Sequence, residues 1–383
     1  MRLIAVGLAL FLTLASGQSF FNTHGLGELV PPADARNTSL GSSFAFSYQN
    51  PGMLVSLPQV SFVVTSLGAG MVGTESGKSR FIGTVRPSGF TGAVPLPVGF
   101  RLSLGLDNVF NQDYDVWSDT ASDSSYRYHV TGRGGVYGLR TGLSWSLFNF
   151  ACVGVGYTRL LGGSREDWRF EVGNGQYVST DTIELDCSGN ALCAGLSVQT
   201  GRFSVAALYE PAVNLTAVST RRVHGIIKDS TKTYQLGLPY SLSGGVGFRP
   251  FERAELTLGA EYRPWSGLSI NDTVFSSSYN NVLRLSGGFE FLPTEKLALR
   301  IGYSRQQPYF LSHPPEPILE LVPISEQVVH FGAGIPVPQF GSLNLGAEVI
   351  FRTNGYLKET GGRLSLSLAY HEAWLKRTRR WGY

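Results

Sequence analysis

Residues 256–263 read LTLGAEYR, and residues 363–371 read RLSLSLAYH. In both stretches an apolar side chain alternates with a small or charged one. Successive side chains of a β-strand point to opposite faces of the sheet, so this period of two predicts a strand with one apolar and one polar face. The same alternation recurs at 102–107, 283–291, 297–304 and 343–349. The chain is therefore predicted to be all-β.

The composition favours a membrane barrel over a soluble sandwich. Only 15% of the 383 residues are charged, whereas 47 are glycine and 12% are aromatic. The polar faces of the predicted strands carry mostly Gly and Ser, where a solvated face would carry many Lys and Glu. The apolar faces end in aromatic residues such as Tyr262, Tyr303 and Tyr370, as expected at lipid interfaces. We predict a transmembrane antiparallel up-and-down β-barrel of about 14 strands.

The predicted connections between strands differ in length. Residues 249–253 and 292–296 are short, charged and contain proline, which predicts tight turns. Longer polar stretches at 108–125, 164–182, 266–281 and 306–326 predict loops, and the glycine-rich residues 132–135 predict a strand boundary. Short turns on one side and long loops on the other are typical of outer-membrane barrels.

The chain divides into four predicted segments. Residues 1–17 combine Arg2, an apolar stretch and small residues before Gln18, the pattern of a cleaved secretory signal peptide. Residues 18–56, which we call the hatch, are either a plug inside the barrel or a periplasmic tail, and their apolar content favours the plug. Residues 57–371 form the barrel in the bacterial outer membrane. Residues 372–383 are a basic tail expected either to meet anionic lipid headgroups or to stay solvated, rather than to bind nucleic acid.

The three cysteines leave two interpretations open. Cys187 and Cys193 could form a disulfide across a local turn, since an exported protein meets an oxidising compartment. Alternatively, they are small residues that fill strand positions. Cys152 is predicted to be a buried thiol.

Short motifs resemble the FadL/TodX family of outer-membrane transporters. Residues 35–42 (ARNTSLGS), followed by residues 48–54 (YQNPGML), are similar to the start of that family's mature chains. The turn at 249–253, the strand that follows it and the Trp374-containing basic end add to the resemblance. It implies a 14-stranded barrel with a hatch in the lumen that ends near Asn50, Pro51 and Gly52.

The resemblance also implies a function. Family members pass hydrophobic or amphipathic small molecules, in some members through a lateral gap in the barrel wall. Barrels of this architecture also serve as secretion or assembly components that bind partner or cargo proteins, and a general diffusion porin is a further alternative. The last predicted strand resembles the signal by which the barrel assembly machinery recognises its substrates.

An amphipathic ligand needs an apolar groove and a cation for its carboxylate. Three arginines lie on predicted lumen-facing positions, and three glutamates on similar positions could pair with them instead. The arginines are Arg284, Arg300 and Arg363, and the glutamates are Glu261, Glu290 and Glu348.

No catalytic or metal site is predicted. The six histidines, at positions 24, 129, 224, 313, 330 and 371, lie in no recognisable nucleophile motif, and no Cys/His spacing resembles a zinc site. His371 ends the last strand, where a polar group at the membrane interface explains it. We therefore expect a protein that is not an enzyme and that needs no cofactor.

Overall fold

The computed structural model describes residues 26–31, 34–56, 60–75, 78–119, 126–148, 150–172, 177–223, 230–312, 321–337 and 341–372. The predicted signal peptide, residues 18–25 of the hatch, and residues 373–383 of the tail lie outside this range, as do His24, His224 and His313.

A closed antiparallel barrel of 14 strands forms the molecule, which confirms the predicted fold class. Each strand pairs with its neighbours in the chain, and β1 pairs with β14 from Val60–Glu372 to Thr74–Lys358 to close the cylinder. The strands are β1 Val60–Glu75, β2 Lys78–Pro95, β3 Phe100–Asn111 with Tyr114–Asp119, β4 Tyr126–Ser146, β5 Ala151–Val172, β6 Tyr177–Thr200, β7 Phe203–Glu210 with Val213–Arg222, β8 Ser230–Leu238 with Ser241–Phe251, β9 Ala254–Arg263, β10 Val282–Thr294, β11 Leu297–Gln306, β12 Ser325–Val337, β13 Gly341–Thr353 and β14 Lys358–Glu372.

The remaining elements are short. The hatch contains a two-residue strand, Glu28–Leu29, a helix α1, Ala35–Ser39, and a 3-10 turn, Pro51–Ser56. Further 3-10 turns and two-residue strands lie in the connections, at Pro97–Gly99, Trp265–Gly267, Ser269–Ile270, Thr273–Val274, Leu311–Ser312 and Val322–Pro323. In the described part of the chain, no helix has the length and apolar character required to cross a membrane.

The two faces of the wall follow the predicted alternation. On β3, Leu102 and Leu104 are 49% and 48% exposed on the outer surface, while on β14 the inward Ser365 and Ser367 are buried. Exposed large apolar side chains cover the outside of the barrel. Such a surface would be unfavourable in water, but a barrel that spans a lipid bilayer requires it. The closed ladder also satisfies the backbone hydrogen bonds that lipid cannot.

Three predicted connections are wrong because strands continue beyond the lipid-facing band. Residues 164–182 are mostly strand, since β5 extends to Val172 and β6 begins at Tyr177. Part of the predicted loop 108–125 is the second segment of β3, and residues 132–135 lie inside β4. These extensions lie in water and carry charged residues. The low charge that identified the other strands in the sequence is therefore absent from them. The turns at 252–253 and 295–296 are tight, as predicted.

The ladder between β2 and β3 is short. It runs from Gly89–Asp107 to Pro95–Arg101, and in the described residues β2 and β3 do not pair beyond it. The free edge of β3 pairs instead with the hatch strand Glu28–Leu29. The amide of Val30 extends this pairing through a 3.0 Å hydrogen bond to the Val109 carbonyl. We call the place where β2 and β3 are unpaired, next to the hatch strand Glu28–Leu29, the seam.

The hatch runs through the lumen from one end of the barrel to the other. Glu28–Leu29 lies beside the far part of β3, whereas Ser56 precedes Val60, the first residue of β1. That second end carries the short turns and the end of β14, so it is assigned to the periplasm. Ser39, Asn50 and Leu54 of the hatch are 0% exposed, because the wall surrounds them.

All three cysteines are free and buried. Cys187 and Cys193 both lie on β6, six positions apart on an extended strand, which separates them by roughly 20 Å. A disulfide requires Cα atoms within about 7 Å of each other. The disulfide interpretation is therefore wrong, and the second one, that small residues fill strand positions, fits the structure.

Candidate functional site

Six consecutive strands place a glycine beneath the hatch. A Cβ atom on Gly288 would lie 2.6 Å from the Leu40 carbonyl oxygen, and one on Gly302 would lie 2.8 Å from the Gly41 nitrogen. Similar overlaps with residues 35–46 occur on the other four strands, so the hatch lies directly on the backbone of the wall. We call these six residues the glycine belt, which consists of Gly245, Gly259, Gly288, Gly302, Gly332 and Gly346.

The Asn50-Pro51-Gly52 segment docks on β6 and β7, beside the belt in the wall. The Asn50 amide donates hydrogen bonds to the Ala45 carbonyl at 2.7 Å and to the Ala207 carbonyl of β7 at 3.0 Å. Its oxygen accepts from the Gly52 amide at 2.9 Å, and Ser197 of β6 donates to the Gly52 carbonyl at 2.7 Å. These contacts fix the hatch to β6 and β7.

Helix α1 carries one end of an ion-pair chain. Asp34 caps the helix by accepting from the backbone amides of Arg36 and Asn37, and burial raises the pKa of this carboxyl. Arg36 binds Glu290 of β10 with both nitrogens of its fork, at 3.1 and 3.2 Å. Glu290 also binds Arg300 of β11, whose guanidinium donates to Asn344 at 3.0 Å. The helix is thus tied to three strands through one carboxylate.

Glu28 anchors the other end of the hatch. Its carboxylate binds both Arg352 of β13 and Arg363 of β14. Burial alone would raise the pKa of Glu28, but the two guanidiniums outweigh it and hold the pKa below its ordinary value. Arg352 also binds Glu326, and Arg363 lies 3.7 Å from Glu348.

The structure buries all six of the predicted lumen residues and pairs most of them. Arg300 pairs with Glu290, and Arg363 with Glu348 and Glu28. Arg284 instead donates to the hatch carbonyl of Gly41 at 3.2 Å, and Glu261 pairs with Arg263. Sequence reasoning missed Glu28, Arg36 and the glycine belt. The sequence did contain one signal for the belt: glycines at polar-face positions of several consecutive strands.

A Ser-His-Glu arrangement lies under the hatch. Ser304 Oγ is 2.9 Å from His330 Nε2, and His330 Nδ1 is 3.1 Å from Glu348 Oε1. The sequence shows no histidine in a nucleophile motif because these residues lie on three neighbouring strands. The order is that of a nucleophile, base and carboxylate. His330 is fully buried, however, and hatch Ser42 donates to the same Glu348 oxygen at 3.4 Å, so we interpret the group as part of the hatch contact.

Aromatic residues close the lumen at its long-loop end. Trp265 stacks on Tyr309 with ring centroids 4.2 Å apart, and Phe110 meets Trp265 edge-on at 6.0 Å. The Tyr309 hydroxyl donates to the Gly27 carbonyl at 2.6 Å, which joins this cluster to the start of the described hatch. The cluster therefore covers the hatch from the extracellular side.

The closed barrel fold agrees with comparisons to known proteins. The BamG family model matches residues 4–380. The chain belongs to the BamG family. No curated protein sequence is significantly similar to it.

Three solved structures share the fold of this BamG member at 11–15% identity. A Pseudomonas aeruginosa FadL homologue matches with a TM-score of 0.62 and 14% identity, over 93% of this chain and 100% of its own. The CymD monoaromatic hydrocarbon channel has a TM-score of 0.60 and 11% identity, over 90% and 98%. The Pseudomonas putida toluene transporter TodX has a TM-score of 0.60 and 15% identity, over 90% and 98%. The resemblance to the FadL/TodX fold is confirmed.

Proposed function

We propose that this protein is an outer-membrane channel for passive uptake of hydrophobic or amphipathic small molecules, closed by its hatch. The seam carries the proposal. At that place β2 and β3 are not paired, and a strand of the hatch covers the edge of β3. Movement of the hatch would open a route between the lumen and the lipid, which suits a solute that prefers lipid to water.

The contacts of the hatch support gating. Many of them are hydrogen bonds and ion pairs on a backbone surface of glycines, and the apolar contacts beside them are small clusters, such as Phe44 with Leu208 and Leu54 with Ala93. The likeness to two hydrocarbon channels supports the solute class. In this proposal, one set of residues holds the hatch and three arginines become available to a carboxylate after it moves. The first set is Asn50, Pro51 and Gly52, and the arginines are Arg284, Arg300 and Arg363.

The test uses proteoliposomes with lipopolysaccharide in the outer leaflet. We expect the protein to accelerate uptake of labelled toluene over protein-free vesicles, with little ion conductance in a planar bilayer. A large steady conductance that does not discriminate among small solutes would support a general porin instead. Absence of both toluene uptake and conductance would contradict the channel proposal.

The family name favours one second candidate, a component of the barrel assembly machinery that binds partner proteins. In that case the filled lumen would make the barrel a rigid membrane scaffold. Cross-linking in intact cells followed by mass spectrometry tests it. We expect assembly-machinery subunits among the cross-linked partners, and depletion of the protein should lower the amount of folded outer-membrane barrels. Normal barrel levels after depletion would contradict this candidate.

A further inference from the structure

A four-residue unit occurs twice in the wall of the barrel. Residues 156–159 of β5 read GYTR, and residues 302–305 of β11 read GYSR. In both units the glycine and the hydroxyl residue face the lumen, whereas the tyrosine and the arginine face outward. Tyr157 and Tyr303 are 43% and 45% exposed on the surface that also carries the exposed leucines. Because β5 and β11 lie six strands apart in the closed barrel, the two units are on nearly opposite sides of the wall.

An amide on the next strand completes the first unit. Asn190 of β6 is the register partner of Arg159. Its Oδ1 atom accepts from the Tyr157 hydroxyl at 2.6 Å and from one terminal nitrogen of Arg159 at 2.9 Å. The other nitrogens of Arg159 have no partner among the described residues. The edge of the guanidinium that includes Nε is therefore available to another acceptor.

The second unit has the same composition. Gln327 of β12 is the register partner of Arg305, and its Oε1 atom accepts from the Tyr303 hydroxyl at 3.2 Å. Arg305 is exposed and forms neither a hydrogen bond nor an ion pair within the part of the chain that the structure describes. The outward positions of the described strands β10–β13 carry no carboxylate, because the acidic residues of these strands are buried on the inner face. These are Glu290, Glu326 and Glu348.

Both arginines lie near the extracellular edge of the apolar band. Each follows the periplasmic start of its strand by eight residues, from Ala151 to Arg159 on β5 and from Leu297 to Arg305 on β11. At about 3.3 Å per residue and a tilt of about 40°, these residues rise by roughly 20 Å, and the apolar band of such barrels is about 25 Å tall. From there an arginine side chain can extend its charge to the lipid headgroups.

The wall does not supply the anion that these guanidinium groups require. A charge that faces lipid without a partner is unfavourable. On β6, the nearest outward carboxylate is Asp186, four residues beyond Asn190 and thus about 13 Å farther along the strand. The outer leaflet of a bacterial outer membrane does supply an anion at this level, in the phosphate groups of lipopolysaccharide. Charge complementarity therefore favours this lipid as the partner of the two units.

We propose that each unit binds a phosphate group of a lipopolysaccharide molecule in the outer leaflet. Arginine binds phosphate through two parallel hydrogen bonds, and the amide on the next strand holds the first unit's arginine so that one edge of its fork stays free for them. The tyrosine lies at the boundary between headgroups and acyl chains, where aromatic residues are favoured. The same tyrosine, arginine and amide recur on two distant parts of the wall, which argues for a binding motif. The proposal concerns the outer surface and does not rest on the proposed transport.

The test is native mass spectrometry of the full chain in detergent micelles, titrated with phosphorylated lipid A. We expect two lipid A molecules on the wild-type protein, one on Arg159→Gln or Arg305→Gln, and none on the double variant at concentrations that saturate the wild type. Lipid A without its phosphates should bind about tenfold more weakly or less. Arg202→Gln with Arg253→Gln is the charge-matched control. It removes two exposed arginines from the periplasmic turns and should still bind two molecules.

A substitution of the amide separates phosphate binding from a purely structural contact. Asn190→Asp places a carboxylate against Arg159, which should keep the fold and its melting temperature but displace one lipid A molecule. Gln327→Glu should have the same effect at Arg305. If the arginines only stabilise the wall, both variants should bind as much lipid A as the wild type, and the proposal would be wrong.

Three further results would overturn the proposal. The first is equal binding of lipid A with and without its phosphates. The second is an unchanged number of bound lipid A molecules in the double arginine variant. The third is equally tight binding of phosphatidylglycerol that is lost in the same variant, because it would assign the units to any anionic headgroup.

Discussion

Oδ1 of Asn50 occupies the space that a Cβ atom on Gly195 would need. The same closeness continues along the segment, where a Cβ on Gly52 would lie 2.7 Å from the backbone of Leu196. The hatch can approach β6 this closely only because Gly195 of the wall and Gly52 of the hatch carry no side chains.

Gly195→Ala should therefore displace the Asn50 segment from the wall. Overpacking of this kind costs about 1–3 kcal/mol, and the hatch should yield before the barrel because the barrel ladder is continuous on both sides of β6. We expect a higher open probability in planar bilayers with little change in barrel melting. Gly244→Ala is the matched control, since a Cβ there meets nothing within 4 Å. Equal conductance of the two variants would contradict the expectation that the contact between Gly195 and Asn50 keeps the hatch in place.

Asn50→Asp should disrupt the same contact by charge. The Asn50 amide donates to two carbonyl oxygens, which a carboxylate would repel. We expect a protease to cleave the hatch faster, because the docked state loses two hydrogen bonds that contribute about 1 kcal/mol each. Asn281→Asp is the matched control, because this exposed loop residue only accepts a hydrogen bond from the Ser266 amide, at 3.0 Å, and a carboxylate can accept the same bond. A cleavage rate equal to that of the control would show that Asn50 does not hold the hatch.

Glu290→Gln should weaken the anchoring of α1. The substitution removes the carboxylate shared by Arg36 and Arg300 and leaves the Arg300 side chain, 5% exposed, without its ion pair. Breaking a buried pair costs about 3–5 kcal/mol, an upper bound here because Arg36 is 41% exposed and Arg300 keeps Asn344. Chemical denaturation measures the change, with the exposed Glu252→Gln as the reference. A loss no larger than that of the reference would exclude Glu290 as an anchor.

Acid should release the start of the hatch. The pKa of Glu28 is lowered on folding, so its contribution is complete above the ordinary value of 4.5 and is lost as the pH falls through the lower folded value. We expect conductance to stay unchanged from neutral pH down to 4.5 and to rise as the pH falls further. Glu28→Gln should conduct at neutral pH and lose this dependence. An acid response that persists in Glu28→Gln would assign it to another group.

All three thiols should remain unpaired in the exported protein. Mass spectrometry after alkylation under denaturing, non-reducing conditions should detect three modified cysteines. Cleavage products joined through Cys187 and Cys193 would contradict the strand assignment of β6.

The alternation of side chains was sufficient to predict the barrel and which residues face the lumen. Leu256 and Glu261, for example, lie on the predicted sides. Partner choice inside the lumen could not be predicted, because residues such as Glu28 and Arg363 are 335 positions apart in the chain and meet only through the path of the hatch. The extension of β5 to Val172 was missed because above the lipid a strand can carry charges on either face.

The strand Glu28–Leu29 belongs to the hatch and also pairs with the edge of β3. Truncation of the hatch therefore removes part of the wall together with the plug, and it leaves backbone groups of Val109–Asn111 on the edge of β3 without these partners. In the proposed channel, withdrawal of this strand would open the lumen and the seam together. A solute that displaces this strand would gain access to the periplasm and to the outer leaflet at the same moment.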